Sequence, residues 1–388
     1  MPPRKRDWSW RSRATRGIVY QLVAVALIAT AVWFLAHNTL ENMRVRGIQS
    51  GFGFLTQPAG FDIGESVFAY ESSDPYWKAF LVGLSNTLRA AVVGIVLTTI
   101  LGTLIGIGRL SRNFLLRSVC TAYVELFRNI PVLLQMLMWY FMLNEWLPPV
   151  SEALHPFPGV FLSKSGMAFP IPVWEAGHLI TAAGLLAGAL GAWFYRRWAR
   201  AAFERTGVAR PMVWPALAIV AAGMLLGWIA GGAPTALELP ERNDLNVAGG
   251  GAVTPEFLAV TIGLTVYTAA FVAEIVRSGI QAVPWGQTES ASALGLSRGQ
   301  ALKLILLPQA LRVIIPPMTN QYLNLTKNSS LAVAIGYPDL VSISNTTLNQ
   351  TGRAVECIAV IMAVYLTLSL VTAALMNWYN ARSSIRER

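Results

Sequence analysis

Charge is what this sequence has least of. Only 13% of its 388 residues are Asp, Glu, Lys or Arg, against about 25% in soluble domains. The deficit points to apolar surface facing lipid, in line with 54% hydrophobic residues and a mean hydropathy of +0.49. Acidic residues are the scarcer sign, 20 against 30 basic, for a net charge of +10. A basic balance can mark nucleic-acid binding. That reading needs the charges gathered on one soluble face, and here they alternate with apolar blocks. Two cysteines, Cys120 and Cys357, both inside apolar runs, give no disulfide framework and no metal-ligand spacing. The three histidines, His37, His155 and His178, are scattered. In contrast, 13 Trp and 11 Tyr suit anchoring at a membrane interface.

Apolar runs are what the chain has in quantity. Candidate spans lie at about 18–36, 79–107, 119–143, 178–195, 212–231, 256–279, 309–335 and 354–377. A helix crossing a bilayer needs about 20 apolar residues at 1.5 Å rise each. The first run, IVYQLVAVALIATAVWFLA, follows a tail with six basic residues. It is long for a signal peptide, and FLAHN is a poor cleavage site, so a retained anchor is expected. The run 309–335 is the weakest, because it holds Pro316, Pro317, Asn320, Asn324, Lys327 and Asn328. Such residues belong in a broken or interior helix rather than against lipid.

Charge distribution fixes an expected topology. With the N-terminus in the cytoplasm and eight crossings, the inside segments carry six Lys+Arg in the N-tail, three at 109–117, five at 196–210, four around 277–312 and three in the C-tail. The outside segments carry six, and Arg89, Arg128 and Lys327 fall within spans. Cytoplasmic positive excess is the usual sign, so both termini are expected inside. Four segments result: 1–78 with the basic tail, first helix and an external stretch; 79–143; an insertion at 144–255 with two extra spans; and 256–388. Within the insertion, AGLLAGALGAW (183–193) suits close helix packing.

Between two spans lies TESASALGLSRGQALKLILLPQA (288–310), which this topology places on the cytoplasmic side. Thr288 is placed to cap a helix with Glu289 in its first turn. Gly295 allows a bend, and Pro308 is expected to end the second piece. There is no His and no nucleophile–base pair. The module is suited to contact, not chemistry.

This segment resembles the cytoplasmic EAA loop of permeases in ATP-binding-cassette importers. Glu289, Ser290 and Ala291 open the pattern, Gly295 falls in place, and Ile305, Leu307 and Pro308 close it, with Ser290 replacing the middle alanine. Four further stretches are similar to the polar amino-acid permease family: AFLVGLSNTLRAAVVG (79–94), YVELFRNIPVLLQML (123–137), TVYTAAFVAEIVRSGI (265–280) and the polar segment 306–340. The long N-terminus and inserted spans resemble the larger permease of general glutamate, glutamine, aspartate and asparagine importers. The resemblance implies an all-α polytopic membrane protein of the bacterial inner membrane, with a type I importer core and about eight transmembrane helices. It implies a second permease subunit, in a heterodimer, two copies of a cytoplasmic ATPase and a periplasmic amino-acid-binding protein, with lipids around them and no nucleic acid. The loop at 286–308, with Arg298 among its contacts, would dock on the ATPase. No GxxxxGK[ST] phosphate loop is present, so ATP–Mg is expected in the partner and no cofactor or catalysis in this chain.

Polar residues inside spans give a second set of candidates. Glu125 and Arg128 are three apart and can pair on a helix face. Pro131 frees the carbonyl of Phe127 and should kink the helix. Arg128, Asn129 and Gln135 are expected along the substrate path, joined by Asn86, Thr87, Asn320, Asn324, Lys327 and Asn328. Arg or Lys attracts an amino acid's carboxylate, and Asn serves both its ends. Glu274 and Arg277 form another pair three apart, read as a structural pair or gate. A secondary transporter driven by an ion gradient would account for the spans but not for the loop spacing. A receptor would leave the polar span unexplained.

Overall fold

The computed structural model describes residues 13–45, 47, 50–208, 210–243 and 247–383. Most of the basic N-terminal tail and residues 384–388 of the C-terminal tail, both expected in the cytoplasm, lie outside the described residues. The apolar runs form helices α1 (Arg13–Val45), α2 (Tyr76–Gly108), α3 (Phe114–Asn129), α4 (Val132–Trp146), α5 (Ala176–Thr206), α6 (Val213–Ala230) and α7 (Pro255–Gln281). Short α8 (Trp285–Ala293) and α9 (Arg298–Ala301) precede α10 (Leu307–Asn328), α11 (Leu340–Thr351) and α12 (Ala354–Ser383). A helix satisfies its backbone polar groups within one segment, which lipid requires. Among the described residues seven helical segments are long and apolar enough to cross a membrane, and eight if α3 and α4 together count as one.

That pair is the span expected at 119–143, with the kink expected at Pro131 sharpened into a break between two helices. α3 and α4 are bent by 106° where Ile130 is extended (φ −98°, ψ 126°) ahead of Pro131. Proline disfavours helical backbone in the residue before it and lacks the N–H that would continue the ladder.

The chain divides into two compact units, Met1–Leu137 with Val260–Arg388, and Met138–Ala259. The insertion expected at 144–255 falls within the second. In the first unit small residues let helices approach closely. A methyl group on Gly102 would lie 2.6 Å from Val272 Cγ1, and one on Gly106 would lie 2.7 Å from the Ala273 carbonyl. A core of Val272, Val276, Ala310, Ile314 and Met318 joins α7 to α10. α10 stays helical through Pro316 and Pro317, so of the two expected forms, broken or interior, it takes the unbroken one. The end of α10 tightens into a 3-10 turn, Ser329–Ile335, closed by Gly336 at φ +81°. A second core, with Phe54, Tyr76, Phe80, Leu340 and Ile343, seats the segment after α1 against α2 and α11.

The second unit adds a few short strands to the otherwise all-α helical architecture. Strands Phe161–Ser163, Gly166–Phe169 and Gly251–Val253 form a small antiparallel sheet, with two further two-residue ladders beside the α5–α6 hairpin. The hairpin itself follows the expected small-residue packing. A methyl group on Gly184 would lie 2.5 Å from the Gly223 carbonyl, and one on Gly177 would lie 2.2 Å from that of Gly231. The helices meet backbone to backbone, as a small-residue stripe permits.

Candidate functional site

Three groupings in the first unit bear on function. The first is the loop between α7 and α10. Pro284 caps α8, so Thr288 lies inside that helix and not at its start, a correction to the expected cap. Ala291 is buried, whereas Glu289 and Ser290 are exposed. Gly295 takes φ +73°, a conformation that glycine adopts freely. Its N–H donates to the Ser292 carbonyl at 3.0 Å, and the Leu296 N–H donates to that of Ala291 at 3.1 Å, closing the end of α8. Ser297 and Gln300 then form a reciprocal cap for α9. Arg298 and Leu307 are exposed, and Ile305 and Pro308 are half-buried. Pro308 does not end the second piece. The chain runs through a π-helical turn, Leu302–Leu306, directly into α10. The wider turn accommodates the N–H that proline lacks. Gln309 Nε2 donates to Gln287 Oε1 at 3.0 Å and ties the start of α10 back to α8. The result is two short helices with an exposed polar face, hinged at one left-handed glycine. Behind them lies an apolar hollow of about 760 Å³ that includes Trp285, Leu302 and Leu306.

The second grouping is a charged cluster. The expected Glu274–Arg277 pair is present, with Arg277 Nε donating to Glu274 Oε2 at 3.1 Å. Arg109, at the end of α2, pairs with the same carboxylate. Sequence spacing missed it because its partner is 165 positions away. One carboxylate thus holds two guanidiniums and ties the end of α2 to α7.

The third is a polar cleft of about 230 Å³ between α7 and α10, lined by Tyr267, Thr268, Phe271, Gln321, Asn324 and Asn328. Arg128, on α3, does not line the cleft but stacks on one residue that does, its guanidinium lying 5.1 Å from the centre of the Phe271 ring. Of the expected path residues, Asn324 and Asn328 line the cleft together, and Arg128 touches its wall through Phe271. Asn320 and Lys327 are exposed and lie off this face, because positions 321, 324 and 328, not 320 and 327, share it at 3.6 residues per turn. Gln321, Tyr267, Thr268 and Phe271 went unnoticed in the sequence, although 267 and 271 are one helical turn apart.

Other expected path residues are braces. Gln135 is fully buried, and its Nε2 donates to the carbonyls of Phe127 and Ile130, both at 2.9 Å. It satisfies the carbonyl that Pro131 leaves open, so the bend is stabilised by the residue expected to meet substrate. Asn86 is also fully buried, donating to the carbonyls of Glu65 at 2.8 Å and Pro338 at 2.9 Å. Thr87 Oγ1 donates to Gly83 and accepts from the Leu340 N–H. Beside them Arg89 pairs with buried Glu65 at 2.6 Å. These residues clamp α2 to the start of α11. Asn129 is exposed and bonds back to the Glu125 carbonyl. The expected Glu125–Arg128 pair is not formed, since the Arg128 guanidinium stacks on Phe271 instead.

Residues 184–385, just over half of the chain, match the model of the family described as binding-protein-dependent transport system inner membrane component. The chain belongs to this family. The permease is 45% identical over 386 residues to the general L-amino acid transport system permease protein AapQ of Rhizobium johnstonii, covering 98% of this chain and 96% of that one. It is 45% identical over 388 residues to the putative amino-acid ABC transporter permease protein YhdX of Escherichia coli, covering 99% and 98%. To the glutamate/glutamine/aspartate/asparagine transport system permease protein BztB of Rhodobacter capsulatus it is 39% identical over 405 residues, covering 96% and 95%. The permease is thus a multi-pass helical component of the bacterial inner membrane. Permeases of this family generally work with a second permease, ATPase subunits and a binding protein, and are not themselves catalytic.

Proposed function

We propose that the chain is one permease subunit of an ATP-driven amino-acid importer whose cargo includes glutamate, glutamine, aspartate and asparagine. The observation that carries the reading is the α8–α9 module: two short, exposed helices set between long apolar ones and hinged at left-handed Gly295. Such a module offers a rigid contact face that transmits motion and performs no chemistry. It docks on a separate ATPase, which holds ATP–Mg, through Glu289, Ser290 and Arg298, while Ala291, Ile305, Leu307 and Pro308 fix its shape. The amino-acid cargo is supported by the AapQ and BztB relatives, named for general L-amino acid and for glutamate, glutamine, aspartate and asparagine transport, which this chain matches over nearly its whole length.

The substrate path runs by the α7–α10 cleft. Arg128 attracts the carboxylate, and Asn324, Asn328 and Gln321 offer amides to either end of an amino acid. The Arg109–Glu274–Arg277 cluster acts as a latch near one end of the path. Both termini face the cytoplasm, the sister permease is a different chain, two ATPases serve the pair, and the binding protein delivers cargo from the periplasm.

Uptake of labelled glutamate and glutamine into proteoliposomes tests this, using the chain co-purified with its partners, with and without ATP on the loop side. ATP-dependent uptake, abolished by Glu289→Ala with Gly295→Trp in an intact complex, is the expected result. Uptake that ignores ATP and follows an ion gradient refutes it in favour of a secondary transporter. Arg128→Gln should raise KM for glutamate more than tenfold while leaving ATP-binding-dependent assembly intact.

A further inference from the structure

The inserted hairpin carries a feature separate from the α8–α9 module and the α7–α10 cleft. α5 outruns its partner: the Tyr195 hydroxyl donates to the Pro211 carbonyl at 3.0 Å, just before α6 begins at Val213. The eleven residues 196–206 therefore project about 16 Å past the end of the paired region at 1.5 Å per residue. This extension and the turn after it hold Arg196, Arg197, Arg200, Arg205 and Arg210 against one acid, Glu204. All five arginines are exposed, and among the described residues none of them makes an ion pair. Two are held by aromatic rings, Arg197 at 4.7 Å from the centre of Trp193 and Arg210 at 4.5 Å from that of Trp198. Stacking engages the face of a guanidinium and leaves its in-plane N–H donors available.

The stripe continues down the helix with a change of chemistry. Leu186, Leu190, Trp193, Arg197 and Arg200 follow one another at spacings of four and three, so they share one face. Both leucines and Trp193 are exposed. From the membrane interior outward the face is aliphatic, then aromatic, then cationic. That sequence matches a phospholipid laid along the helix: acyl chain on the leucines, glycerol region at the tryptophan, phosphate on the arginines. Tryptophan favours the interface, and guanidinium binds phosphate oxygens in bidentate fashion. We propose that this face of α5, with the turn to α6, is a binding site for an anionic phospholipid headgroup. The proposal needs only that α5 and α6 cross the membrane. It requires neither a particular cargo nor a particular orientation.

The test titrates the detergent-solubilised importer complex with brominated phosphatidylglycerol and, separately, brominated phosphatidylcholine, reading tryptophan quenching. The intact protein should bind the anionic lipid more tightly, and the preference should weaken as salt is raised. A surface arginine contributes roughly fivefold to anionic-lipid binding. Arg196→Gln with Arg197→Gln and Arg200→Gln should therefore lower the preference on the order of a hundredfold. The matching lysine triple should keep most of it and reports on fold. Equal binding of the two lipids by the intact protein overturns the proposal. So does a glutamine triple that retains the preference, or cross-linking of these arginines to an acidic surface of another subunit in place of lipid.

Discussion

Replacing Asp339 with asparagine should make the permease more stable at neutral and alkaline pH. Asp339 lies between spanning segments, at the start of α11. Its Oδ1 accepts from the Ser342 N–H at 2.8 Å, while its Oδ2 is buried with no hydrogen-bond partner. The residue is 0% exposed, and burial pushes its pKa from 3.8 up to about 7, against the opposing pull of the backbone N–H groups at the helix start. The folded chain therefore holds the proton more tightly than the unfolded chain. The stabilisation is complete below about pH 4, is lost as pH rises toward 7, and stays lost above it. A difference of roughly 3 pH units at about 1.36 kcal/mol each sets a ceiling of about 4 kcal/mol. Asparagine keeps the acceptor for Ser342 and cannot ionise. The variant should match the natural protein near pH 4 and exceed it by about 2–4 kcal/mol at pH 8. For a chain of this length that is roughly 3–5 °C in Tm. Thermal melts of the solubilised protein from pH 4.5 to 8.5, followed by intrinsic fluorescence, give the difference curve. A flat difference, or a variant less stable at pH 8, refutes the buried-carboxylate argument.

Substitutions at three other features make separate predictions. Gly295→Val forces a branched residue to φ +73° with nothing within 4 Å of the new Cβ, so its effect is backbone strain of about 1–2 kcal/mol. ATP-driven uptake should fall about tenfold, and Gly295→Asn should retain most of it. Gly184→Val drives a side chain into the Gly223 carbonyl and Gly227 Cα, which cannot rotate away. Limited proteolysis of the α5–α6 hairpin should accelerate sharply, whereas Gly191→Ala, facing only the Ile219 side chain, should be mild. Glu274→Gln leaves Arg109 and Arg277 without their shared carboxylate and, for a partly exposed cluster, should lower stability by about 1–2 kcal/mol. Adding Arg109→Gln should recover part of that loss, which a double-mutant cycle in thermal melts measures.

The sequence by itself determined the things that depend on local composition. Scarce charge and long apolar runs specify spanning helices, because lipid leaves backbone groups no partner but each other. Small residues at 183–193 specify close packing, and the Glu289–Gly295–Pro308 pattern marks the loop through its resemblance to importer permeases, while the left-handed turn at Gly295 emerges only in the structure. Pro131 foretold the bend, but not its 106° or that Gln135 would brace it. What only the tertiary structure decided are the partnerships across distance. Arg109 meets Glu274, Arg89 meets Glu65, and Asn86 and Thr87 bond to residues some 250 positions on. The same holds for the short strands, which join residues near 167 to residues near 252 across two helices. A polar residue inside an apolar run declares that it needs a partner, because burying it alone is costly. Whether that partner is a substrate, an ion or another part of the backbone depends on which helices pack together, and no local pattern carries that information.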